Sequence, residues 1–260
     1  MSDIGIDTAA VRVHRKGRGA ALVLLHCLGV DHRLWDIAAA GLERDFTLVT
    51  YDFPGHGETP VPDRGYGVED LSTQLAAILA REDIGRAHLG GISLGGLVAQ
   101  HFAATYPNKV ERLVLMDTTP RYTDEMRGMW AVRAKQARDQ GVASLLDSLL
   151  PVWFTPEFIA ADPAAVRYVR DCFEHDSGEG YALACEALAA ADLRPLTPSI
   201  TAPTLIVCGD QEIAPFLDAA RWLEANIRGA RLHWLSPARH ASPLQQPEAF
   251  VRAAGKFLGA

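Results

Sequence analysis

The 260-residue sequence lacks an excess of basic charge, since 25 Lys and Arg stand against 32 Asp and Glu, a formal net charge of −7. Nucleic acids and anionic membranes bind proteins through clustered positive charge, so this balance argues against both as partners. Long apolar runs are lacking too: the stretch at 21–30 is too short to cross a bilayer. The first 19 residues also lack the apolar core of a signal peptide. We therefore expect a soluble cytoplasmic protein whose partner is a small-molecule substrate, and find no signal for its oligomeric state.

Cysteine is scarce as well. The four cysteines, at 27, 172, 185 and 208, form no CxxC pair and have no metal-site spacing with histidine. Cys27 and Cys208 lie in or beside apolar runs, where a free thiol packs as a small hydrophobic group. The sequence therefore predicts reduced cysteines and no metal centre.

What the sequence does contain is a regular alternation of short apolar runs and longer helical patterns, which predicts a mostly parallel sheet covered on both faces. Strands are expected at 21–27, 46–52, 86–92, 112–117, 204–210 and 231–236, and helices at 33–43, 69–82, 94–106, 215–227 and 246–258. Between Asp117 and Ala202 no buried strand is indicated, and a structureless loop of that length is improbable. We therefore predict a core at 1–118 and 200–260, with a helical lid at 119–199 over the ligand-binding edge of the sheet.

Residues 91–95 read GISLG, which fits G-x-S-x-G between a predicted strand and a predicted helix. Glycines are needed there because the serine of a nucleophile elbow lies in a tight, strained turn. The turn would place Ser93 above the sheet, beside the first amides of the following helix. The alternative is a glycine-rich turn with an incidental serine.

A nucleophilic serine needs a base, and His240 lies in the loop between the last predicted strand and the last helix. From that position a histidine can take the serine proton and return it to the leaving group. The order serine, acid, histidine along the chain is typical of this arrangement. The alternative is a solvated surface histidine.

The acid should follow the strand at 204–210, where Asp210 and Glu212 are both available. Either carboxylate would hold the imidazole in the required tautomer. An oxyanion hole also needs two amides, and the predicted donors are the backbone N–H groups of Leu28 and Leu94.

The sequence resembles the α/β-hydrolase fold throughout, and within it the 3-oxoadipate enol-lactonases of aromatic catabolism. The residues that carry the resemblance are CLGVDHRLWD (27–36), YDFPGHGET (51–59), VWFTPEF (152–158), GYALACEALAAADLR (180–194), APTLIV (202–207) and HASPLQQPEAF (240–250). The resemblance implies two further strands near the N-terminus, so that the helical lid follows the sixth strand. It also implies substrate-binding roles for Trp130 and Arg133, which fall at positions similar to a Trp and an Arg of the lactonases.

Two departures from the family concern the site. His26 and Cys27 replace a polar Asn-Ser pair. The family's acid is an aspartate three residues after a glycine, with a proline four residues later. Counting from Gly209, that place holds Glu212, and Pro215 follows after only three residues.

The longer glutamate side chain compensates for a shorter loop, so Glu212 is favoured over Asp210. Asp117 is a third candidate, because some related hydrolases carry the acid at that strand end.

The resemblance implies a serine hydrolase of the β-ketoadipate pathway that opens 3-oxoadipate enol-lactone to 3-oxoadipate through an acyl-enzyme, without a metal or organic cofactor. Two alternatives use the same residues: a carboxylesterase, and a carbon–carbon-bond hydrolase for another ring-cleavage product. The fold does not decide between these enzymatic activities. An alternative of another class is a hydrolase-like ligand receptor with little turnover, which the shortened acid loop favours.

Overall fold

The computed structural model describes residues 8–260, so the first residues of the predicted core lie outside it. Its strands are β1 Val13–Gly17, β2 Ala20–Leu25, β3 Phe46–Tyr51, β4 Ala87–Ile92, β5 Val110–Met116, β6 Thr204–Gly209 and β7 Arg231–Leu235. They form one sheet in the order β1-β3-β2-β4-β5-β6-β7. Only β1 is antiparallel to its neighbour, β3, and the remaining pairs are parallel.

The helices are α1 Leu34–Ala38, α2 Val68–Arg81, α3 Leu94–Thr105, α4 Asp124–Gln140, α5 Leu146–Trp153, α6 Pro156–Ala160, α7 Ala164–His175, α8 Gly178–Ala190, α9 Ala214–Asn226, α10 Ser242–Gln245 and α11 Pro247–Leu258. Strands β4 and β6 are buried along their whole length. This burial explains why neither strand alternates apolar and polar residues, since parallel strands covered on both faces show no such alternation. In the described part of the chain, no helix is long and apolar enough to cross a membrane.

The order of the strands creates a crevice at the carboxyl ends of β2 and β4. The chain passes from β2 to β3 on one side, whereas β4 pairs with β2 on the other. Ligands of open α/β sheets bind where the order reverses in this way. The oxyanion loop (27–31) follows β2 and the serine turn follows β4, so both meet at the crevice.

Helices α4–α8 lie between β5 and β6, where the sequence indicates a helical insertion. The predicted position after the sixth strand is not confirmed, because the insertion follows the fifth of the strands found in residues 8–260. The strand count differs by one because only β1 precedes β2 in residues 8–260, whereas the resemblance implies two strands before β2. The domain limits themselves stay a prediction.

Candidate active site

Ser93 lies between β4 and α3 with φ 51° and ψ −111°, a conformation that side-chain-bearing residues rarely adopt. The turn is tight enough to require glycine on both sides. A Cβ on Gly91 would lie 2.1 Å from the carbonyl oxygen of Gly95, and one on Gly95 would lie 2.3 Å from that of Leu25. The Ser93 N–H donates to the carbonyl of Met116 at 2.9 Å, which anchors the turn to β5.

Three side chains from separate loops meet at this turn. His240 Nε2 lies 3.0 Å from Ser93 Oγ, and His240 Nδ1 lies 3.1 Å from Glu212 Oε2. Since the carboxylate can only accept, Nδ1 carries the hydrogen and Nε2 is free to accept the serine proton. Burial lowers the pKa of His240, but the charge and hydrogen bond of Glu212 outweigh it, so the pKa is raised above its ordinary value. This geometry suits general-base activation of a serine.

The two carboxylates of the acid loop (209–213) have different environments. The Glu212 side chain is fully buried against His240, and its other oxygen accepts from the Ile213 N–H at 3.0 Å. Asp210 is exposed, and its Oδ1 accepts from the Ala238 N–H at 3.2 Å. Glu212 therefore contacts the imidazole, whereas Asp210 binds the backbone of the histidine loop.

Asp117, the third candidate for the acid, uses both oxygens elsewhere. Its Oδ1 accepts from the Gly209 N–H at 2.9 Å, and its Oδ2 accepts from the N–H and hydroxyl of Ser242 at 3.0 and 2.6 Å. Burial raises the pKa of this carboxyl to about 7, against the lowering effect of His240. Asp117 thus links the acid loop to the histidine loop, a link between distant residues that no local motif signals.

Two backbone amides point to an oxyanion site. The N–H groups of Leu28 and Leu94 have no acceptor among the described residues. Leu94 begins α3, so its amide lies at the positive end of the helix dipole. Two free amides beside a serine can stabilise a negative oxygen that forms during attack on a carbonyl.

His26 holds the oxyanion loop in place. Its Nδ1–H donates to the carbonyl of Cys27 at 2.8 Å, and its Nε2 accepts from the Phe53 N–H at 2.9 Å. The His26 carbonyl also accepts from the Gly95 N–H at 3.1 Å, which connects this loop to the serine turn. Burial, followed by the nearby His56, lowers the pKa of His26 to about 4, so its ring stays neutral.

A cavity of about 120 Å³ connects Ser93 and His240 to the helical insertion. It is mostly apolar, and Arg133 is the only permanently charged side chain among the described residues that line it. The lining also includes Cys27, Leu28, Trp130, Trp153, Tyr181 and Phe216. A larger cavity of about 550 Å³ lies beside α7 and the loops after β2 and β3. It contains neither Ser93 nor His240, so we assign the chemistry to the smaller cavity.

The basic side chains of helix α4 and of the segment just before it differ in whether they form ion pairs. Arg121 pairs with Asp124 and Asp192, Arg127 with Asp124, and Lys135 with Asp139. Arg133 has no acidic partner in the described part of the chain. It lies over the ring of Trp130, with its guanidinium carbon 4.8 Å from the ring centroid.

Two groups of side chains in the described range have the composition of a metal site, His14–His32–Glu58 and Asp31–His32–Asp52. Neither contains a residue of the serine site. His32 Nδ1 instead lies 3.0 Å from Asp52 Oδ1.

Comparison with known proteins is consistent with this geometry. Residues 22–253 match the alpha/beta hydrolase family. The chain belongs to that family. The hydrolase is 32% identical to 3-oxoadipate enol-lactonase 2 of Acinetobacter baylyi, over 90% of this chain and 86% of the relative. It is 30% identical to the pimeloyl-[acyl-carrier protein] methyl ester esterase of Chromobacterium violaceum, over 95% and 97% of the two chains.

Among solved structures, the hydrolase superposes on the enol-lactonase from Burkholderia xenovorans LB400 with a TM-score of 0.91. The identity is 34%, and 96% of each chain is covered. The predicted α/β-hydrolase fold and the resemblance to enol-lactonases are therefore confirmed. The protein is an enzyme of the ester and lactone hydrolase type.

Proposed function

We propose that this hydrolase opens a small enol-lactone that carries a carboxylate, as the name of the 3-oxoadipate enol-lactonases describes for those relatives. The observation that supports this most directly is Arg133, a cation without an acidic partner in residues 8–260, in a mostly apolar cavity that also contains Ser93. An arginine without an acid partner provides a fork of donors matched to a carboxylate.

In the proposed mechanism, His240 takes the proton of Ser93 as the hydroxyl attacks the lactone carbonyl. The negative oxygen that forms is bound by the amides of Leu28 and Leu94. The ring C–O bond then breaks, its electron pair goes to the ring oxygen, and the delocalised enolate that forms takes up the proton held by His240. Because the opened chain stays attached through its acyl carbon, the product of this step is an acyl-enzyme on Ser93 with His240 neutral again.

The second half of the reaction uses the same groups in the opposite direction. His240 takes a proton from water, the hydroxide attacks the acyl carbon, and the C–Oγ bond breaks. The proton on His240 passes to Ser93 Oγ, which restores the resting site. Glu212 stabilises the imidazolium in both halves and holds the ring orientation.

Recognition of the substrate involves a second unsatisfied donor, Trp130. Its indole N–H is buried and has no acceptor in residues 8–260. A buried donor without a partner is unfavourable by about 1–3 kcal/mol, which an acceptor on the substrate would remove. Trp130 and Arg133 lie one turn apart on α4, so both can face one carboxylated ligand.

A second candidate is a carboxylesterase acting on an ester with a distal polar group. The similarity to a methyl ester esterase at 30% identity favours this alternative over a carbon–carbon-bond hydrolase. The receptor alternative rests on an acid loop that is one residue shorter than the family pattern. The contact of 3.1 Å between His240 and Glu212 supports a working acid in this loop and therefore favours the enzyme.

The test is a comparison of three substrates: 3-oxoadipate enol-lactone, a monomethyl dicarboxylate ester and the neutral p-nitrophenyl acetate. We expect the largest kcat/KM on the enol-lactone. A larger value on the methyl ester identifies the esterase, and turnover of p-nitrophenyl acetate alone contradicts carboxylate recognition.

A further inference from the structure

The backbone N–H groups on both sides of His240 donate to residues outside the histidine loop (236–241). The Ala241 N–H donates to the carbonyl of Trp153, the last residue of α5 in the helical insertion, at 3.0 Å. The Arg239 N–H donates to the side-chain Oε1 of Gln245, at the end of α10, at 3.3 Å. The backbone that carries the histidine is therefore held at two points.

Gln245 also binds the α5–α6 junction (153–155), so its side chain joins the histidine loop to the insertion. Its Nε2 donates to the hydroxyl of Thr155 at 2.8 Å, and its Oε1 accepts from the Thr155 N–H at 3.4 Å. Thr155 is the N-cap of α6, since its hydroxyl also accepts from the Phe158 N–H. Because the same Oε1 accepts from Arg239, one carboxamide connects a helix start in the insertion to the residue next to His240.

This link is buried but lies outside the cavity. Gln245 is 6% exposed and Thr155 is 3% exposed, so bulk water does not readily replace the carboxamide. The N–H groups of Arg239 and Thr155 have no other acceptor among the described residues. Gln245 does not line the cavity beside His240, whereas Trp153 does. Gln245 therefore acts on the histidine through the backbone, and not through contact with a ligand.

We propose that Gln245 is a positioning residue, which holds the backbone next to His240 against the α5–α6 junction and so keeps the imidazole within reach of Ser93. This inference rests on the proposed role of His240 as base. Proton transfer needs the two side chains in hydrogen-bond contact, and His240 Nε2 lies 3.0 Å from Ser93 Oγ. Asp117 binds the N–H of Ser242 from the sheet side. The histidine is thus fixed from the sheet and from the insertion together.

The test is Gln245→Met, assayed with p-nitrophenyl acetate; the change keeps the length of the side chain and removes both of its polar atoms. We expect kcat to fall about 10–100-fold, since a small displacement of a reacting group is enough for a loss of this size. KM should stay within about threefold of the wild type, because Gln245 does not line the cavity. A kcat that changes by less than about threefold overturns the proposal.

Gln245→Glu is the variant that should restore activity. A carboxylate accepts from both N–H groups, and the Thr155 hydroxyl can donate to it, so we expect kcat within about fivefold of the wild type. If Gln245→Glu is as slow as Gln245→Met, these hydrogen bonds do not position the base, and the proposal is overturned.

Gln100→Met is the matched control for the loss of a buried glutamine. Gln100 is 1% exposed, and its Nε2 donates to the Thr119 carbonyl at 3.2 Å, but it lies on α3 and outside the histidine loop. We expect a decrease in thermal stability similar to that of Gln245→Met, with kcat within about threefold of the wild type. An equal loss of kcat in both variants would mean that any buried glutamine has this effect, which overturns the inference.

Thr155→Val tests the other end of the link, including the case in which Gln245→Met does not fold. We expect kcat to fall about tenfold, the effect of one neutral hydrogen bond, and Thr155→Ser, which keeps the hydroxyl, to restore it. The double variant should lose no more than Gln245→Met alone, because both changes break one link; losses that multiply overturn the proposal. His240→Ala tests the base separately, and p-nitrophenyl acetate does not depend on the lactone being a substrate.

Discussion

On the sheet side of Ser93, each reacting group is held by hydrogen bonds to backbone or carboxylate. Asp117 links the loops of Glu212 and His240, and His26 ties the oxyanion loop to the serine turn. On the lid side, Trp130 and Arg133 lack such partners among the residues that the structure describes. The difference teaches that the hydrogen bonds of the proposed catalytic groups are completed within the protein, whereas the proposed recognition groups keep free donors for a substrate.

The strongest test of the sheet side is Ser93→Ala. We expect turnover of every substrate to fall by about 10⁴-fold or more, since the nucleophile is removed. Unfolding free energy should change by less than about 1 kcal/mol, because a single hydroxyl is lost. The measurements are kcat and thermal unfolding, with fluorophosphonate labelling. Label on a residue other than Ser93 would contradict the assignment.

Glu212→Gln comes next in expected effect. Loss of the orienting carboxylate should lower kcat by about 10³–10⁴-fold. Asp210→Asn is the matched control in the same loop, and it should cost about tenfold or less, since it affects one backbone hydrogen bond. Circular dichroism checks that both variants fold. If Asp210→Asn is the inactive one, the acid loop has a different register; if neither is impaired, Asp117→Asn is the next variant.

The fold was largely predictable because its signals are local. The expected strands at 46–52 and 204–210 correspond to Phe46–Tyr51 and Thr204–Gly209, since buried parallel strands are continuous apolar runs. The apolar pattern does not indicate β1, whose sequence VHRKG is mostly exposed at the edge of the sheet. The helix expected at 33–43 ends at Ala38, before Gly41, which has φ 108°.

The site was predictable only in part. Motif and chain order indicated Ser93, His240 and the pair of carboxylates, because these follow strands whose ends meet at one edge. Which carboxylate of the acid loop lies against His240 depends on the length and conformation of each side chain, and a sequence does not show these. Contacts between distant residues, such as those of Asp117 with Gly209 and Ser242, have no local signal.

Arg133→Gln tests the lid side. On the carboxylated lactone we expect kcat/KM to fall about 10–100-fold, the loss of a charge-assisted hydrogen-bonded pair. On neutral p-nitrophenyl acetate it should change less than about threefold. Lys135→Gln is the matched control, because Lys135 lies on the same helix and pairs with Asp139. Equal losses on both substrates would mean that Arg133 supports the fold of the lid rather than recognition.

The pH dependence sharpens the role of Glu212. Because this carboxylate raises the pKa of His240, the imidazole stays protonated to a higher pH, and activity appears only as pH rises through that raised pKa. In Glu212→Gln, burial and the charge of Arg133 both lower the pKa of His240, and of the remaining causes only the charge of Asp117 raises it. The acidic limb of residual kcat/KM for p-nitrophenyl acetate should therefore move to lower pH. A limb that does not move would mean that the contact seen in the structure does not control the base.

The smallest effect is expected for Cys27→Ser, although Cys27 lines the cavity beside Ser93. Its loop acts through backbone groups: the Cys27 carbonyl accepts from His26, and the next amide, of Leu28, is the free donor. Burial raises the pKa of the thiol far above neutrality, so no thiolate is available as a nucleophile. We therefore expect kcat within about threefold of the wild type for Cys27→Ser, and likewise for Cys27→Ala, since no backbone bond changes. If either variant were as inactive as Ser93→Ala, the thiol would take part in the reaction, and the contrast between a completed sheet side and an open lid side would no longer describe this site.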